Sequence, residues 1–369
     1  MPFSILGLNT ALPAHSMSQQ EATSLAVQTS GADGRRAAVL GKLFRRTGVK
    51  NRQTAVPHRT ALEWLSMSHG SSPSDGTGSS SGPTTGERMH LYRELAAPLA
   101  EQAAAGAIAS ANIDPSEVSH LITVSCTGFA APGVDVQLIR RLGLPYQTQR
   151  VNIGFMGCHG AVNGLAVARA IGNADENACV LLCAVELCSL HYSLSWGPER
   201  AVGNALFSDG AAAIVGRQID PSGGLWKVRG TGSCLLPDSL DAMTWQVGDH
   251  GFEMSLSPRI PELIGQHLRP WLTQWLATFD LTIEQVRHWA VHPGGPRVLT
   301  AVEETLQLPP EATSASREIL AQCGNMSSPT VLFILERLTR GLEANNSSRG
   351  PCVILGFGPG MVAEAALLG

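Results

Sequence analysis

The sequence predicts an α/β fold in which helices are layered against buried strands. Four apolar runs rich in strand-forming residues support this prediction: HLITVSC, ACVLLCAVEL, HWAVH and PCVILGFG, which begin at residues 120, 178, 288 and 351. They alternate with segments of helical periodicity, and continuous apolar runs are typical of strands covered on both faces. With 369 residues, 44% of them hydrophobic, the chain can bury a large core and is long enough for two domains or one two-lobed unit.

A weak internal repeat suggests that the two halves of the chain are related. Cys158 is followed by a helical segment of small residues and then by ACVLL, whereas Asn325 is followed by another helical segment and then by PCVIL. In the second segment, Ser328 suits the N-cap and Pro329 suits the first helical position. Its apolar stripe consists of Val331, Ile334, Leu335, Leu338 and Leu342.

Charge and composition narrow the possible functions. The net charge of −4 gives no general attraction to nucleic acid or to an anionic membrane, so any basic site must be local. The longest strongly apolar run is interrupted by Glu186 and is too short to span a membrane, and the N-terminus lacks the pattern of a signal peptide. We therefore expect a cytoplasmic protein. Eight cysteines without a CxxC pair predict reduced thiols and no structural metal site.

One segment, 70–86, has low sequence complexity. It contains only Gly, Ser, Pro, Thr and Asp, and such a composition cannot bury enough apolar surface to fix a fold. We expect a flexible surface loop there.

Cys158 is the candidate nucleophile. It stands in GFMGCHGA, at a predicted turn from strand to helix, and the free amides of a helix N-terminus favour ionisation of a thiol. The alternative is an inert buried cysteine, which is the common case and fits Cys179, Cys183 and Cys352 inside apolar strands. Packing alone does not require the glycines around Cys158, so these favour the nucleophile.

A nucleophilic thiol needs a partner that holds its proton, and His292 is the candidate. It ends a predicted strand and enters a Pro-Gly-Gly-Pro turn in WAVHPGGP. Asn325, in CGNMSSP, stands at a similar turn. Each residue also has a purely structural interpretation, His292 as a strand-end histidine and Asn325 as a turn or cap residue.

Taken together, these motifs resemble those of the type III polyketide synthases, chalcone-synthase-like enzymes of the thiolase superfamily. GFMGC, HPGGP and GNMSS match the family's Cys, His and Asn motifs, and ALFSDGAAA places Phe207 at the gatekeeper position. GFGPG at 356–360 matches its C-terminal cyclisation loop, which consists of Gly356, Phe357, Gly358, Pro359 and Gly360. The resemblance covers nearly the whole chain except 70–86.

The resemblance implies a five-layered αβαβα thiolase fold in a homodimer. Its N-terminal half, 1–216, would carry the nucleophile, and its C-terminal half, 217–369, would carry the histidine and asparagine. Cys158, paired with His292, would accept an acyl group from an acyl-CoA. His292 and Asn325 would then polarise the carbonyl of malonyl-CoA for decarboxylation, and the enolate would attack the acyl thioester. No cofactor is implied beyond these coenzyme A thioester substrates.

The resemblance also implies residues for the coenzyme and for the cavity. In GKLFRRTGVKNR, which has five basic residues and no acidic one, Lys42 and Arg46 align with contacts to the CoA phosphates. A solvated basic helix face is the alternative. Met254 replaces a second gatekeeper phenylalanine, and the remaining cavity positions are Cys126, Cys188, His191, Trp245 and Ser327.

The cavity residues suggest the starter. Trp245 is bulky and Met254 flexible, which favours a cavity reshaped away from an aromatic starter. SCTGF and ELCSLH resemble bacterial members of the family, among which makers of alkylpyrones and alkylresorcinols from fatty acyl-CoA starters are frequent. The alternatives are a tetrahydroxynaphthalene-type synthase that uses only malonyl-CoA and also has a cysteine at position 126, and an initiating ketoacyl-acyl-carrier-protein synthase. A Cys-His-Asn hydrolase and a catalytically silent thiolase-fold protein are further interpretations.

Overall fold

The structure, a computed structural model, describes residues 2–68, 82–194, 197–219, 224–345 and 349–369. Most of the low-complexity segment, 70–81, lies outside these residues. The prediction of a loop is wrong at the end of that segment, because a helix begins at Thr85. The Thr84 hydroxyl accepts a hydrogen bond from the Glu87 amide, and the Glu87 carboxylate accepts one from the Thr84 amide at 2.7 Å. This reciprocal capping box starts the helix despite the loop-like composition.

The strands have the following bounds in chain order: β1 (Phe3–Ala11), β2 (His15–Ser18), β3 (Asn51–Thr54), β4 (His120–Ser125), β5 (Gln149–Gly154), β6 (Cys179–Leu187), β7 (Asp209–Gln218), β8 (Trp226–Leu235), β9 (Met243–Gly248), β10 (Gly251–Leu256), β11 (His288–Val291), β12 (Cys352–Gly358) and β13 (Val362–Leu368). The helices are α1 (Gln19–Ser30), α2 (Gly34–Arg46), α3 (Thr60–Ser68), α4 (Thr85–Ala111), α5 (Val134–Leu142), α6 (Gly160–Ala174), α7 (Pro198–Leu206), α8 (Ile260–Ala277), α9 (Pro296–Leu306), α10 (Ser314–Cys323) and α11 (Thr330–Ala344). All four apolar runs form strands, as predicted.

The main sheet has the strand order β11-β12-β13-β8-β1-β7-β6-β4-β5. At its centre, β1 meets β8 through only two residue pairs, Ser4 with Lys227 and Ile5 with Trp226. Outward from this junction, β1-β7-β6-β4 and β8-β13-β12-β11 show the same succession of pairings: antiparallel, antiparallel, parallel. The internal repeat is therefore present in the topology, and β5 adds a strand to the N-terminal set alone.

Three hydrophobic cores define five layers. The central core contains residues of α6 and α11 together with strand residues of both halves. A second core packs α4 and α5 on the outer face of the N-terminal strands, and a third packs α8 and α9 on the outer face of the C-terminal strands. In β6, Val180 and Leu182 point to the central core, whereas Leu181 and Cys183 point to α4. The expected αβαβα order is confirmed.

The start of α11 differs from the sequence prediction. Its N-cap is Pro329 and its first residue is Thr330, so Ser328 is not the cap. The Ser328 hydroxyl instead donates a 2.5 Å hydrogen bond to Glu186, a tertiary partner that helix-start patterns cannot reveal. The predicted stripe is confirmed: Val331, Ile334 and Leu335 are buried and the later leucines pack against the same core.

The description of GFGPG as a loop is also only partly correct. Gly356, Phe357 and Gly358 belong to β12 and pair with β13, where Gly356 lies opposite Glu364. Only Pro359 and Gly360 lie in the turn that joins the two strands. Continuous pairing up to Gly358 outweighs the loop tendency of the glycines.

Candidate active site

Cys158 lies at a tight turn between β5 and α6. The turn passes through Phe155 and Gly157, both with positive φ (57° and 76°), and Cys158 is the middle residue of a 3-10 turn that runs directly into α6. A side chain at Gly157 would overlap the ring of Pro359. Glycine is therefore required there by both conformation and close contact, and the sequence argument that packing does not require the glycines around Cys158 is wrong at this position. The predicted strand-to-helix position of the thiol is confirmed.

The GFGPG motif packs against this turn. Pro359 contacts Gly157, and a Cβ atom on Gly358 would lie only 2.5 Å from Nε2 of His159. His159 Nδ1 is paired with Asn163 Oδ1 at 2.7 Å. The motif therefore packs against the turn that contains Cys158.

His292 and Asn325 are both buried, with 1% and 2% of their surfaces exposed. His292 follows β11, where its amide donates a 2.7 Å hydrogen bond to the Leu355 carbonyl. Within the described part of the chain, neither of its ring nitrogens has a hydrogen-bond partner. The expected hydrogen bond between Cys158 and His292 is therefore not formed in this structure.

Asn325 is fixed by its own turn and by the segment that carries Phe207. Its amide donates to the Leu206 carbonyl and its carbonyl accepts from the Ser208 amide, each at 2.9 Å. Its side-chain Oδ1 accepts a 2.8 Å hydrogen bond from the Ser327 amide. The side-chain NH₂ group of Asn325 remains the donor that this amide can offer to a substrate.

A small cavity of about 30 Å³ adjoins the thiol. Most of the predicted cavity residues line it together with Cys158: Cys126, Cys188, Phe207, Trp245, Met254 and Ser327. His292 and Asn325 are not part of its lining. The structure therefore brings together the nucleophile and the predicted specificity residues around one space.

The thiol and the imidazole are both held in their neutral forms. Burial raises the pKa of Cys158 to about 12, against hydrogen bonding by Ser327 and Asn325, and the nearby Glu186 carboxylate raises it further. Burial lowers the pKa of His292 to about 3, and the proximity of His159 acts in the same direction. The expectation of an easily ionised thiol is contradicted here, because desolvation is the largest influence on the pKa of Cys158 and disfavours the thiolate.

Trp245 forms the wall between this cavity and a larger one of about 100 Å³. Its indole N–H donates a 2.7 Å hydrogen bond to the Cys126 carbonyl. Cys188, Phe207 and Met254 also border both spaces. The larger cavity is lined mainly by apolar side chains of other elements, among them Leu25, Val56, Ala61 and Trp64.

His191 lines the larger cavity and is a neutral structural group. The Phe252 amide donates to Nδ1 at 2.9 Å, so the ring proton lies on Nε2, which donates to the Thr127 carbonyl at 2.7 Å. Burial lowers its pKa to about 3. The ring stacks on Phe252 with centroids 4.1 Å apart and meets Trp245 edge to face. These contacts hold the wall in place.

Comparison with known proteins places the chain in a family. Residues 2–219 match the model of the N-terminal domain of chalcone and stilbene synthases, and residues 228–369 match that of their C-terminal domain. The chain belongs to the chalcone and stilbene synthase family. It is a type III polyketide synthase, an acyltransferase with a thiolase-like fold.

Individual relatives of this synthase are similar over most of its length. A 1,3,6,8-tetrahydroxynaphthalene synthase of Streptomyces peucetius subsp. caesius is 34% identical over 99% of the chain and 92% of the relative. The alpha-pyrone synthesis polyketide synthase-like Pks18 of Mycobacterium tuberculosis is 34% identical over 77% of the chain and 73% of the relative. The crystal structure of PKS-I from the brown alga Ectocarpus siliculosus superposes with a TM-score of 0.89 at 29% identity, covering 100% of this chain and 98% of that one.

Glu186 is a site residue of the synthase that the sequence interpretation missed. Its buried carboxylate accepts hydrogen bonds from the Cys126 amide at 2.9 Å, the Thr127 hydroxyl at 2.7 Å and the Ser328 hydroxyl at 2.5 Å. It thereby joins the end of β4 to the turn that follows Asn325. Its signal in the sequence was a single carboxylate within an apolar strand, which is costly unless it is fully hydrogen-bonded.

The candidate CoA residues of the synthase lie on the surface. Lys42 and Arg46 are exposed in the second half of α2, and neither lines the two cavities. Arg52, from the same basic stretch, is buried in β3. In the described residues, no helix is long and apolar enough to cross a membrane.

Proposed function

We propose that the synthase extends a fatty acyl starter, held as a thioester on Cys158, by repeated decarboxylative Claisen condensation with malonyl-CoA. The lengthened chain then cyclises to an alkylpyrone or an alkylresorcinol. The single observation that carries the choice of starter is the larger cavity beyond Phe207, Trp245 and Met254.

An alkyl chain suits the walls of this cavity. Its leucine, valine and alanine side chains offer contact without hydrogen-bonding demands, and burial of each methylene contributes about 0.8 kcal/mol. Charged side chains, among them Glu199 and Glu253, line another part of the cavity. The space beside the thiol is less than a third as large, so a long starter needs the second cavity. Met254, between the two, can change rotamer to admit the chain.

Loading of Cys158 begins from the neutral pair. The thiol gives its proton to His292 as the sulfur attacks the carbonyl carbon of the acyl-CoA thioester. The bond from that carbon to the CoA sulfur breaks, and the imidazolium returns the proton to the leaving CoA thiolate. This step needs His292 to approach the thiol, and its ring nitrogens have no competing partner among the described residues.

Decarboxylation uses the two buried donors. The Asn325 NH₂ group and one His292 N–H hydrogen-bond to the thioester carbonyl oxygen of malonyl-CoA. The bond to the malonyl carboxylate breaks, carbon dioxide leaves, and its electron pair forms the enolate that these donors stabilise. The enolate carbon attacks the acyl-Cys158 carbonyl and expels the thiolate. The coenzyme A thioesters are then the only small molecules that the chemistry requires.

A second candidate function is tetrahydroxynaphthalene synthesis from malonyl-CoA alone. Cys126 lines the same cavity as Cys158, and its sulfur accepts a 3.0 Å hydrogen bond from the Gly157 amide. The tetrahydroxynaphthalene synthase of S. peucetius is also similar over nearly the whole chain. The ketoacyl-acyl-carrier-protein synthase, hydrolase and silent-protein interpretations lose support because both halves match the chalcone and stilbene synthase models.

We further propose a homodimer, formed through the β5 edge of the sheet. β5 has no further strand beside it among the described residues, and Val151, Phe155, Met156 and Phe129 are exposed nearby. A free edge flanked by apolar side chains is a typical surface for association. Location in the cytoplasm stays a prediction from the sequence.

The experiment is a starter panel. The purified protein is incubated with malonyl-CoA and either no starter or acyl-CoAs from acetyl to palmitoyl, with p-coumaroyl-CoA as an aromatic comparison, and product masses are recorded. Products that contain a long acyl chain support the proposal. The same product with and without every starter would favour the malonyl-only synthase.

A further inference from the structure

The C-terminal end of α7 is held by an arginine from another element. Arg52 Nη1 hydrogen-bonds to the carbonyls of Asn204 and Phe207, the latter at 3.3 Å, and Nη2 bonds to the Ala205 carbonyl at 2.6 Å. These are the carbonyls that a helix end leaves without an intrahelical partner. The gatekeeper Phe207, whose own carbonyl is one of the three, follows the last residue of α7.

Gln19 completes the arrangement. Its side-chain oxygen accepts a hydrogen bond from Arg52 Nη2, and its NH₂ group donates to the Ala205 carbonyl at 3.0 Å. The same NH₂ group lies 2.9 Å from the Phe44 carbonyl and 2.8 Å from the Thr47 hydroxyl, at the end of α2. Gln19 and Arg52 therefore connect the ends of two helices, α2 with the candidate CoA residues and α7 with the gatekeeper.

Arg52 is an unusual group to bury for packing alone. Only 5% of its surface is exposed, and its hydrogen bonds go to carbonyls and to the Gln19 amide rather than to a carboxylate. Burial lowers its pKa to about 10, which leaves the guanidinium charged at neutral pH. Its charge faces the negative end of the α7 dipole, and such contacts stabilise a helix terminus.

The segment at the end of α7 is also hydrogen-bonded to the turn that contains Asn325. Leu206 and Ser208, on either side of Phe207, form the backbone hydrogen bonds that fix Asn325. The Ser208 hydroxyl bonds to both the amide and the carbonyl of Gln53, the neighbour of Arg52 in β3. A displacement of the α7 end would therefore move both the gatekeeper and the candidate enolate donor.

We propose that Gln19 and Arg52 form a positioning pair that fixes the α7 end, and through it Phe207 and Asn325, for control of chain extension. Neither residue lines the cavity beside Cys158. Arg52 borders the larger cavity, whereas Gln19 lines neither, so a change of products in Gln19→Leu cannot come from an altered cavity wall. The roles of Phe207 and Asn325 rest on the proposed function. The hydrogen bonds by which Gln19 and Arg52 hold the α7 end, called the hold below, do not rest on it. The hold and its catalytic consequence are therefore tested separately.

The hold is tested by hydrogen exchange. Arg52→Gln removes the positive charge and most of the N–H donors of the guanidinium group. Because charge-assisted hydrogen bonds to the α7 end are lost, we expect amide exchange in peptides covering 200–208 to accelerate about tenfold. The exchange rate of Arg52→Lys should lie between those of Arg52→Gln and the wild type. Thr339→Val is the matched control, because it deletes a buried 2.8 Å hydrogen bond to Trp226 far from α7. Unchanged exchange in folded Arg52→Gln, or equal acceleration in the control, would overturn the proposal.

The catalytic consequence is read from products. With one acyl-CoA and malonyl-CoA, folded Arg52→Gln and Gln19→Leu should change the ratio of shorter to longer polyketides and lower the rate of malonyl-CoA decarboxylation. Arg52→Lys should restore part of both, and Thr339→Val should change neither. Altered exchange with an unaltered product ratio would refute extension control while leaving the hold intact. If the starter differs from a fatty acyl group, the exchange result stands and only the proposed substrate fails.

Discussion

Cys158 is half-buried and His292 is buried, and both are neutral at physiological pH because desolvation raises the pKa of the thiol and lowers that of the imidazole. A neutral imidazole is nevertheless the form that can accept a proton, and a neutral thiol is the form that can give one. The Cys158 thiol therefore loses its proton during the reaction with the acyl thioester and not in the resting protein.

At the same scale, His292→Ala and Asn325→Ala should each slow decarboxylation of malonyl-CoA by about 10²- to 10³-fold, because each removes one donor to the enolate oxygen. Asn325→Asp is the matched variant that keeps the shape of the side chain and lacks the NH₂ donor. Release of labelled carbon dioxide is the measurement. Normal release from a folded variant would exclude that residue from the step.

Trp245→Gly should widen the connection between the two cavities, because the indole is the largest of the four side chains that border both. We expect longer starters to be accepted or at least one further malonyl unit to be added, measured as product mass. Trp275→Ala is the control, since that indole also donates to a backbone carbonyl, of Thr231 at 3.3 Å, but lines neither cavity. The control should lower the melting temperature without changing the products. A folded Trp245→Gly enzyme with unchanged starters and products would refute the proposal that Trp245 limits the cavity.

At the scale of elements, α2 carries basic residues on its surface and ends at the pair formed by Gln19 and Arg52. The basic stretch was interpreted from sequence as one group of CoA candidates, but its members have different environments. Lys42 and Arg46 are exposed, whereas Arg52 is buried and bound to carbonyls. Burial is set by neighbouring elements, so sequence spacing alone could not separate them.

Substitution of both Lys42 and Arg46 by alanine should raise KM for acyl-CoA up to about thirtyfold, with kcat little changed, since each of the two exposed contacts contributes at most about 1 kcal/mol. The effect should shrink at high salt. An N-acetylcysteamine thioester, which lacks the CoA phosphates, should show no such change. Arg35→Ala with Arg36→Ala, at the other end of α2, is the matched control. An equal loss with the truncated thioester would contradict phosphate binding.

For the whole molecule, much of the fold could be predicted because β4, β6, β11 and β12 are continuous apolar runs and the two halves of the chain repeat one order of elements. Cys158 and Asn325 could be found because glycine-marked turns precede their helices. Glu186, Arg52 and the true start of α11 could not, because each depends on a partner distant in the chain. Ser328, for example, has the composition of a cap, yet its hydroxyl binds Glu186 from another strand.

The most direct test of the account is intact-protein mass spectrometry after exposure to a long-chain acyl-CoA without malonyl-CoA. The wild type should gain the mass of one acyl group, located on Cys158 by peptide mapping, because the thiol is the nucleophile and the larger cavity receives the chain. Folded Cys158→Ala should gain none, and Cys234→Ala, which removes a thiol away from both cavities, should load like the wild type. An acyl group that persists on Cys158→Ala, or a wild type that takes no long acyl chain, would contradict the account.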